Sequence, residues 1–160
     1  MITMRIQIEN GAILDTFKGW GLIPLEADKR TAPSEKASDA SSYMEQSGEN
    51  PDPRTVYDAF DYKAKFAISA PNKNMENVNS VIARFNAAIR KRTAGSDIAE
   101  KREITLYNDH DRVKIVGYPA LIAEPTSFYR RQDGKVLDCA EVELSIRVSD
   151  PGKCDFDMSL

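Results

Sequence analysis

Histidine, cysteine and tryptophan are scarce in this chain of 160 residues, and each shortage narrows what the protein can do. With His110 as the single histidine, a His-rich metal site cannot be completed. Any Ser-His-Asp or Cys-His catalytic system would rest on that one residue. The two cysteines, Cys139 and Cys154, lie in a strand-like segment and near the C-terminus, and are expected to be reduced thiols of a cytoplasmically made protein. No apolar run approaches the ~20 residues that cross a bilayer as a helix, so no membrane partner is expected. The N-terminal MITMRIQIENGAIL alternates polar and apolar residues instead of forming an apolar block, so no signal peptide is expected. The formal net charge of −3 lacks the concentrated basic surface of a general nucleic-acid binder. GxxxxGK[ST], GxGxxG and CxxC are all missing, which removes the phosphate-cradling and dithiol motifs, and no cofactor is expected.

What is present is alternation. Phe60, Tyr62, Ala64, Phe66 and Ile68 interleave with Asp61, Lys63, Lys65 and Ser69, the pattern of a strand with one apolar and one charged face. The period then changes, and Val78, Val81, Ile82, Phe85 and Ile89 recur at helical spacing. Asn74 is the expected N-cap, with Glu76 in the first turn and Arg90, Lys91 and Arg92 at the C-terminal end, where cations suit the helix dipole. A strand and a helix with one apolar face each should pack on one another.

Upstream, Ile2, Met4, Ile6 and Ile8 alternate with polar residues, and Asn10-Gly11 suggests a hairpin to the next apolar segment. Gly19 and Gly21 around Trp20 are expected to break any helix and leave a turn or bulge, with Leu22, Ile23 and Leu25 extended after it. Trp20 reads as a core-packing aromatic in preference to a functional anchor. Residues 29–54 are rich in Ser, Pro, Asp and Glu, cannot bury much apolar surface, and should form a long polar loop in a single domain. Tyr43 and Met44 are its sizeable apolar residues and would suit contact with a neighbouring subunit.

Two hairpins follow. REITLY and RVKIVGY flank the polar NDHD, and Pro119 closes the second arm. TSFYRR and a long final strand flank QDGK, in which Asp133-Gly134 is a two-residue hairpin signal. Val136, Ala140, Val142, Leu144, Ile146 and Val148 should face inward, and Glu141, Glu143, Ser145 and Arg147 outward. Asp150-Pro151-Gly152 ends that strand, and residues 151–160 read as a short tail. The expected fold is α+β: an antiparallel β-sandwich or split barrel with one packed α-helix.

Chemistry is harder to find. Asp109-His110-Asp111 could bind a metal or supply a base, but Asn and Asp are also favoured in a hairpin turn for backbone reasons. Paired carboxylates at Asp58/Asp61, Glu141/Glu143 and Asp155/Asp157 read as solvated or partner-facing surfaces; glycoside hydrolysis would need two of them converging across a cleft. Tyr43, Met44, Glu141, Glu143 and Arg147 are therefore the candidate partner interface.

The run TVYDAFDYKAKFAI, NVNSVIARFNAAIR, EITLYNDHDRVKIVGY, KVLDCAEVELSIRVSDP resembles tail proteins of bacteriophages and prophages, of the distal-tail or tail-tube-like group. The resemblance implies a non-enzymatic virion protein that forms rings as a homo-oligomer (a hexamer) and joins other tail proteins, in the virion or in the host bacterial cytoplasm during assembly. It carries over no catalytic residues. A small cytoplasmic ligand-binding domain or enzyme with a site near His110 is the alternative from another class.

Overall fold

The computed structural model describes residues 2–34, 57–71, 75–92 and 99–158. In chain order the elements are β1 (Met4–Ile8), β2 (Ile13–Asp15), α1 (Thr16–Trp20), β3 (Ile23–Ala27), β4 (Phe60–Ala70), α2 (Val78–Ala88), β5 (Arg90–Arg92), β6 (Ala99–Lys101), β7 (Ile104–Asn108), β8 (Val113–Pro119), β9 (Thr126–Gln132) and β10 (Lys135–Val148). Every pairing between these strands is antiparallel. The fold is α+β, an antiparallel sandwich with one packed α-helix.

The eight-stranded sheet runs β2-β1-β7-β8-β10-β4-β3, with β9 on β10 and the small pair β5-β6 apart from it. Its spine is the β4–β10 ladder, an unbroken register from Phe60↔Val148 to Ala70↔Asp138. Alternation explains the choice of register. A one-residue slip would turn Tyr62, Phe66, Val142 and Ile146 out to water, at about 1.5–3 kcal/mol for each large apolar side chain. β8 joins the two halves of the sheet, pairing along its length with β7 and at its end with β10. Gly117 sits at that joint with no room for a side chain, because a Cβ would lie 2.4 Å from the Arg147 carbonyl oxygen.

The core lies where the sheet halves and α2 meet. Met4, Ile6, Ile104, Leu106, Val113 and Ile115 come from one half and Tyr62, Phe66, Val142, Leu144 and Ile146 from the other. Val78, Val81, Ile82 and Phe85 of α2 seal it, and Ile89 follows just past the helix. The apolar stripe is as the periodicity predicts, but the cap differs. Asn77 is the N-cap, its side-chain oxygen accepting from the Ser80 N–H at 2.8 Å, so Glu76 precedes the helix. Asn74 lies outside the described residues. Arg90–Arg92 form β5 and not the last helical turn, although Arg90 Nε still donates to the Asn86 carbonyl near the helix end at 3.4 Å.

Around Trp20 the expectation of a helix break is corrected. Thr16–Trp20 form a five-residue helix that contains Gly19, capped by the Asp15 carboxylate, which accepts from the Phe17 and Lys18 N–H groups. Gly21 ends it in the left-handed conformation (φ 75°), so the second glycine terminates the helix as a C-cap instead of preventing it. Trp20 packs edge-on against Phe85, ring centroids 5.5 Å apart, which makes it the packing aromatic expected.

Two segments expected to be loose have defined ends. Residues 29–34 carry no helix or strand, and the Asp58 N–H donates to the Ser34 carbonyl at 2.8 Å. Ser34 and Asp58 are therefore neighbours in the fold; Tyr43, Met44 and the rest of residues 35–56 lie outside the described residues. At the other end, Asp155 exchanges both backbone hydrogen bonds with Lys114 on β8, and Phe156 packs against Phe60. The C-terminal segment is thus added to the β8 edge, up to Met158, whose N–H donates to the Arg112 carbonyl.

Candidate interaction surface

Three places hold the residues that could carry function: the NDHD turn, the outer face of β4–β10, and the hairpin arm formed by β9 with the start of β10.

In the turn, every acidic group is committed to the fold. Asp109 accepts two hydrogen bonds from the Arg5 guanidinium, at 2.9 and 2.7 Å, and this partnership raises the Arg5 pKa further. Asp111 pairs with Lys29 at 2.9 Å and accepts from the Asn108 side chain at 3.1 Å. Asn108 is buried and also donates to the Tyr62 hydroxyl at 3.2 Å, while burial pushes the Tyr62 phenol upward. His110 is more than half exposed and only grazes Asp111, at 4.0 Å. This is the geometry of a turn that clasps β1, β4 and the residues after β3. His110→Ala should therefore shift stability by less than about 0.5 kcal/mol, whereas Asn108→Ala, which leaves Tyr62 without its partner, should cost about 1–3 kcal/mol in urea unfolding. Equal losses for both would show that His110 has a role the turn does not explain.

The outer face is a charge lattice. Glu141, Glu143 and Arg147 lie on it as predicted, opposite Ala67, Lys65 and Asp61 of β4. Arg147 meets Asp61 at 3.3 Å, and Lys65 meets Glu26 at 3.0 Å. Lys65 has its pKa raised, chiefly by the Glu26 hydrogen bond and then by its charge, with Glu141 and Glu143 adding to the effect. The two glutamates are consequently balanced by an interleaved lysine instead of forming a purely acidic patch.

The arm is what the sequence reading undervalued. The expected inward row of β10 holds from Ala140 to Val148, but Val136 is 59% exposed. All seven residues of β9 are exposed on both faces, including Phe128 at 42% and Tyr129 at 78%. The pairing with β4 ends at Ala70, the partner of Asp138, so among the described residues positions 135–137 pair with β9 alone, and there Val136 stays exposed while Leu137 is half-buried. A signal was available in TSFYRRQ. Adjacent Phe-Tyr and adjacent Arg-Arg place an aromatic and a cation on each face, which no strand covering a core would do. Cys139 and Cys154 are free thiols, as expected. Cys139 is buried and meets the Ser69 hydroxyl at 3.8 Å; Cys154 is half-buried beside Val116, its thiol pKa raised mainly by burial.

No helix among the described residues is long and apolar enough to cross a membrane, and no group of three or more metal-ligating side chains occurs among them. Neither the known protein-family models nor the curated proteins match this chain.

Proposed function

We propose that this chain is a structural, non-catalytic assembly protein of a phage or prophage tail, a ring-forming component of the tail-tube or distal-tail-like type. Its partners are copies of itself, closing as a hexamer, and other tail proteins; it acts in the virion and, during assembly, in the host bacterial cytoplasm. One observation carries the reading: the β9–β10 arm projects a strand with aromatic side chains on both faces and an outer edge that no described strand pairs with, a surface that makes physical sense when another chain covers it. The resemblance in the strand–helix–hairpin–strand run supplies the tail context. The rival reading of a ligand site near His110 is disfavoured by the commitment of Asp109 and Asp111 to Arg5 and Lys29.

Light scattering across a concentration series, with negative-stain images of the largest species, tests the proposal. Closed rings that grow in at high concentration are the expected result. A chain that stays monomeric throughout and melts later in the presence of a small molecule would overturn the proposal in favour of a binding module.

A further inference from the structure

The described strand edges are not equally open. β2 has three residues, and β3 carries Pro24 and a register irregularity between Pro24 and Glu26; both are blunted in the usual ways. β9 is longer, has no proline or bulge, and among the described residues pairs with no strand on its outer side.

Its backbone parity can be read in two ways that agree. The β9–β10 turn is Asp133-Gly134, both residues with positive φ (52° and 74°), so Gln132 and Lys135 form the closing hydrogen-bonded pair. Independently, the Ser145 carbonyl accepts from the Ala120 N–H, so odd-numbered β10 residues direct their backbone groups away from β4 and toward β9. Through the β9–β10 register, even-numbered β9 residues bond inward, and Ser127, Tyr129 and Arg131 present N–H and C=O outward.

We propose that the β9 edge is a two-fold docking site for the β9 of a second copy of this chain, antiparallel and centred on Tyr129. In that register Tyr129 pairs with its own copy and Ser127 with Arg131, so every outward backbone group on both strands finds a partner. The side chains agree. Arg130 of each copy stands opposite Phe128 of the other, a cation–π neighbour, and Arg131 opposite Ser127, so no like charges meet. Shifting the centre by one residue toward Arg130 sets Arg130 against its own copy; shifting it by one toward Phe128 sets Arg131 against Pro125, which has no N–H to give. Registers pairing odd with even residues would join outward groups to inward ones. The pairing makes one continuous sheet across two subunits, and it rests on the assembly reading only in taking the partner to be this same chain.

Cysteine cross-linking under mild oxidation reads the register directly. Hydrogen-bonded antiparallel partners sit with Cα atoms about 5.5 Å apart, inside the roughly 4.4–6.8 Å span of a disulfide. Tyr129→Cys should give a covalent dimer by itself, while Ser127→Cys and Arg131→Cys should give one only when mixed, with the unsubstituted chain as the baseline for Cys139 and Cys154. Tyr129→Pro removes an outward N–H without touching the hairpin's own bonds, and should halve the mass in solution with the far-UV spectrum unchanged. No dimer from Tyr129→Cys, a dimer from Ser127→Cys alone, or a folded Tyr129→Pro of unaltered mass would each overturn the proposal. Rings that form without the Tyr129 cross-link would sink this pairing and leave the tail reading standing; a cross-linked dimer that never builds rings would do the reverse.

Discussion

Phe85→Ala should lower the free energy of unfolding by about 3–5 kcal/mol, a large share of the roughly 5–15 kcal/mol that holds an ordinary domain. Phe85 is fully buried, comes from the middle of α2, and reaches the sheet core while meeting Trp20 edge-on, its ring plane at 85° to the indole. Truncation loses the burial of the ring, leaves a cavity between α2 and the sheet, and removes an aromatic pair worth about 0.5–1.5 kcal/mol beyond its area. Collapse into the gap is resisted from both sides. β4 is fixed by its ladder to β10, and Trp20 is held on the short α1, with the Arg84 guanidinium over the indole, 5.3 Å from its ring centroid, and donating to the Gly19 carbonyl at 2.9 Å. Denaturant unfolding followed by the fluorescence of the single tryptophan and by circular dichroism checks this, since the indole reports on the contact itself. A loss below about 1 kcal/mol would mean that α2 repacks freely and is not the keystone of the core.

That keystone was legible in the sequence because its signal is periodic and global. Val78, Val81, Ile82, Phe85 and Ile89 could not all be buried by any element but a helix, and the β4 and β10 alternations fix the parity of the register that buries both apolar rows. The two hairpins were legible for a related reason: polar residues between alternating arms leave the chain few other paths, and Asp133-Gly134 readily supplies the two positive φ values its turn needs. What escaped was decided by contacts that no local pattern encodes. The helix cap falls on Asn77 and not on Asn74 because the first buried position, Val78, sets where helical geometry begins, and either asparagine could cap in isolation. Thr16–Trp20 forms a helix despite Gly19 because Asp15 satisfies its first N–H groups, while Arg84 binds the Gly19 carbonyl from α2. The C-terminal segment looks like a tail until β8 offers it a free edge at Lys114.

The exposed arm shows the opposite failure, in which a correct pattern was extended too far. Val136 continues the parity of Ala140 and Val142, and alternation alone cannot say where the covering layer stops. Burial depends on what packs over the strand, and here the exposed stretch coincides with the part of β10 that runs past the end of its β4 partner at Ala70. An exposed apolar residue such as Val136 on an arm with aromatic side chains on both faces is stabilised when another chain covers it.

Gly117→Ala should be strongly damaging for a single added methyl, because the obstacle is backbone. Glycine is needed here for closeness and not for a left-handed turn. A Cβ would stand 2.4 Å from the Arg147 carbonyl oxygen and 2.9 Å from both the Arg147 carbonyl carbon and Ile146 Cγ2. A flexible side chain could swing aside from such a contact, but the Arg147 carbonyl cannot. Arg147 is paired with Asp61 on one side and Tyr118 on the other, and the next strand position, Val148, is core. The β8–β10 link between the two halves of the sheet must therefore open, which loses the pairings Ile146↔Pro119 and Arg147↔Tyr118 and the bond from Ala120 to Ser145. Overpacking of this kind costs about 1–3 kcal/mol where neighbours yield, and the upper end or beyond is expected where they are backbone. Hydrogen exchange distinguishes this outcome from general destabilisation. The Ala120 amide should lose protection by far more than the amides of the β4–β10 ladder, and the urea midpoint should fall with it. A Gly117→Ala chain with an unchanged midpoint and a protected Ala120 amide would show that β8 can draw back from β10 at no cost, and that the two halves of the sheet are held together by the core alone.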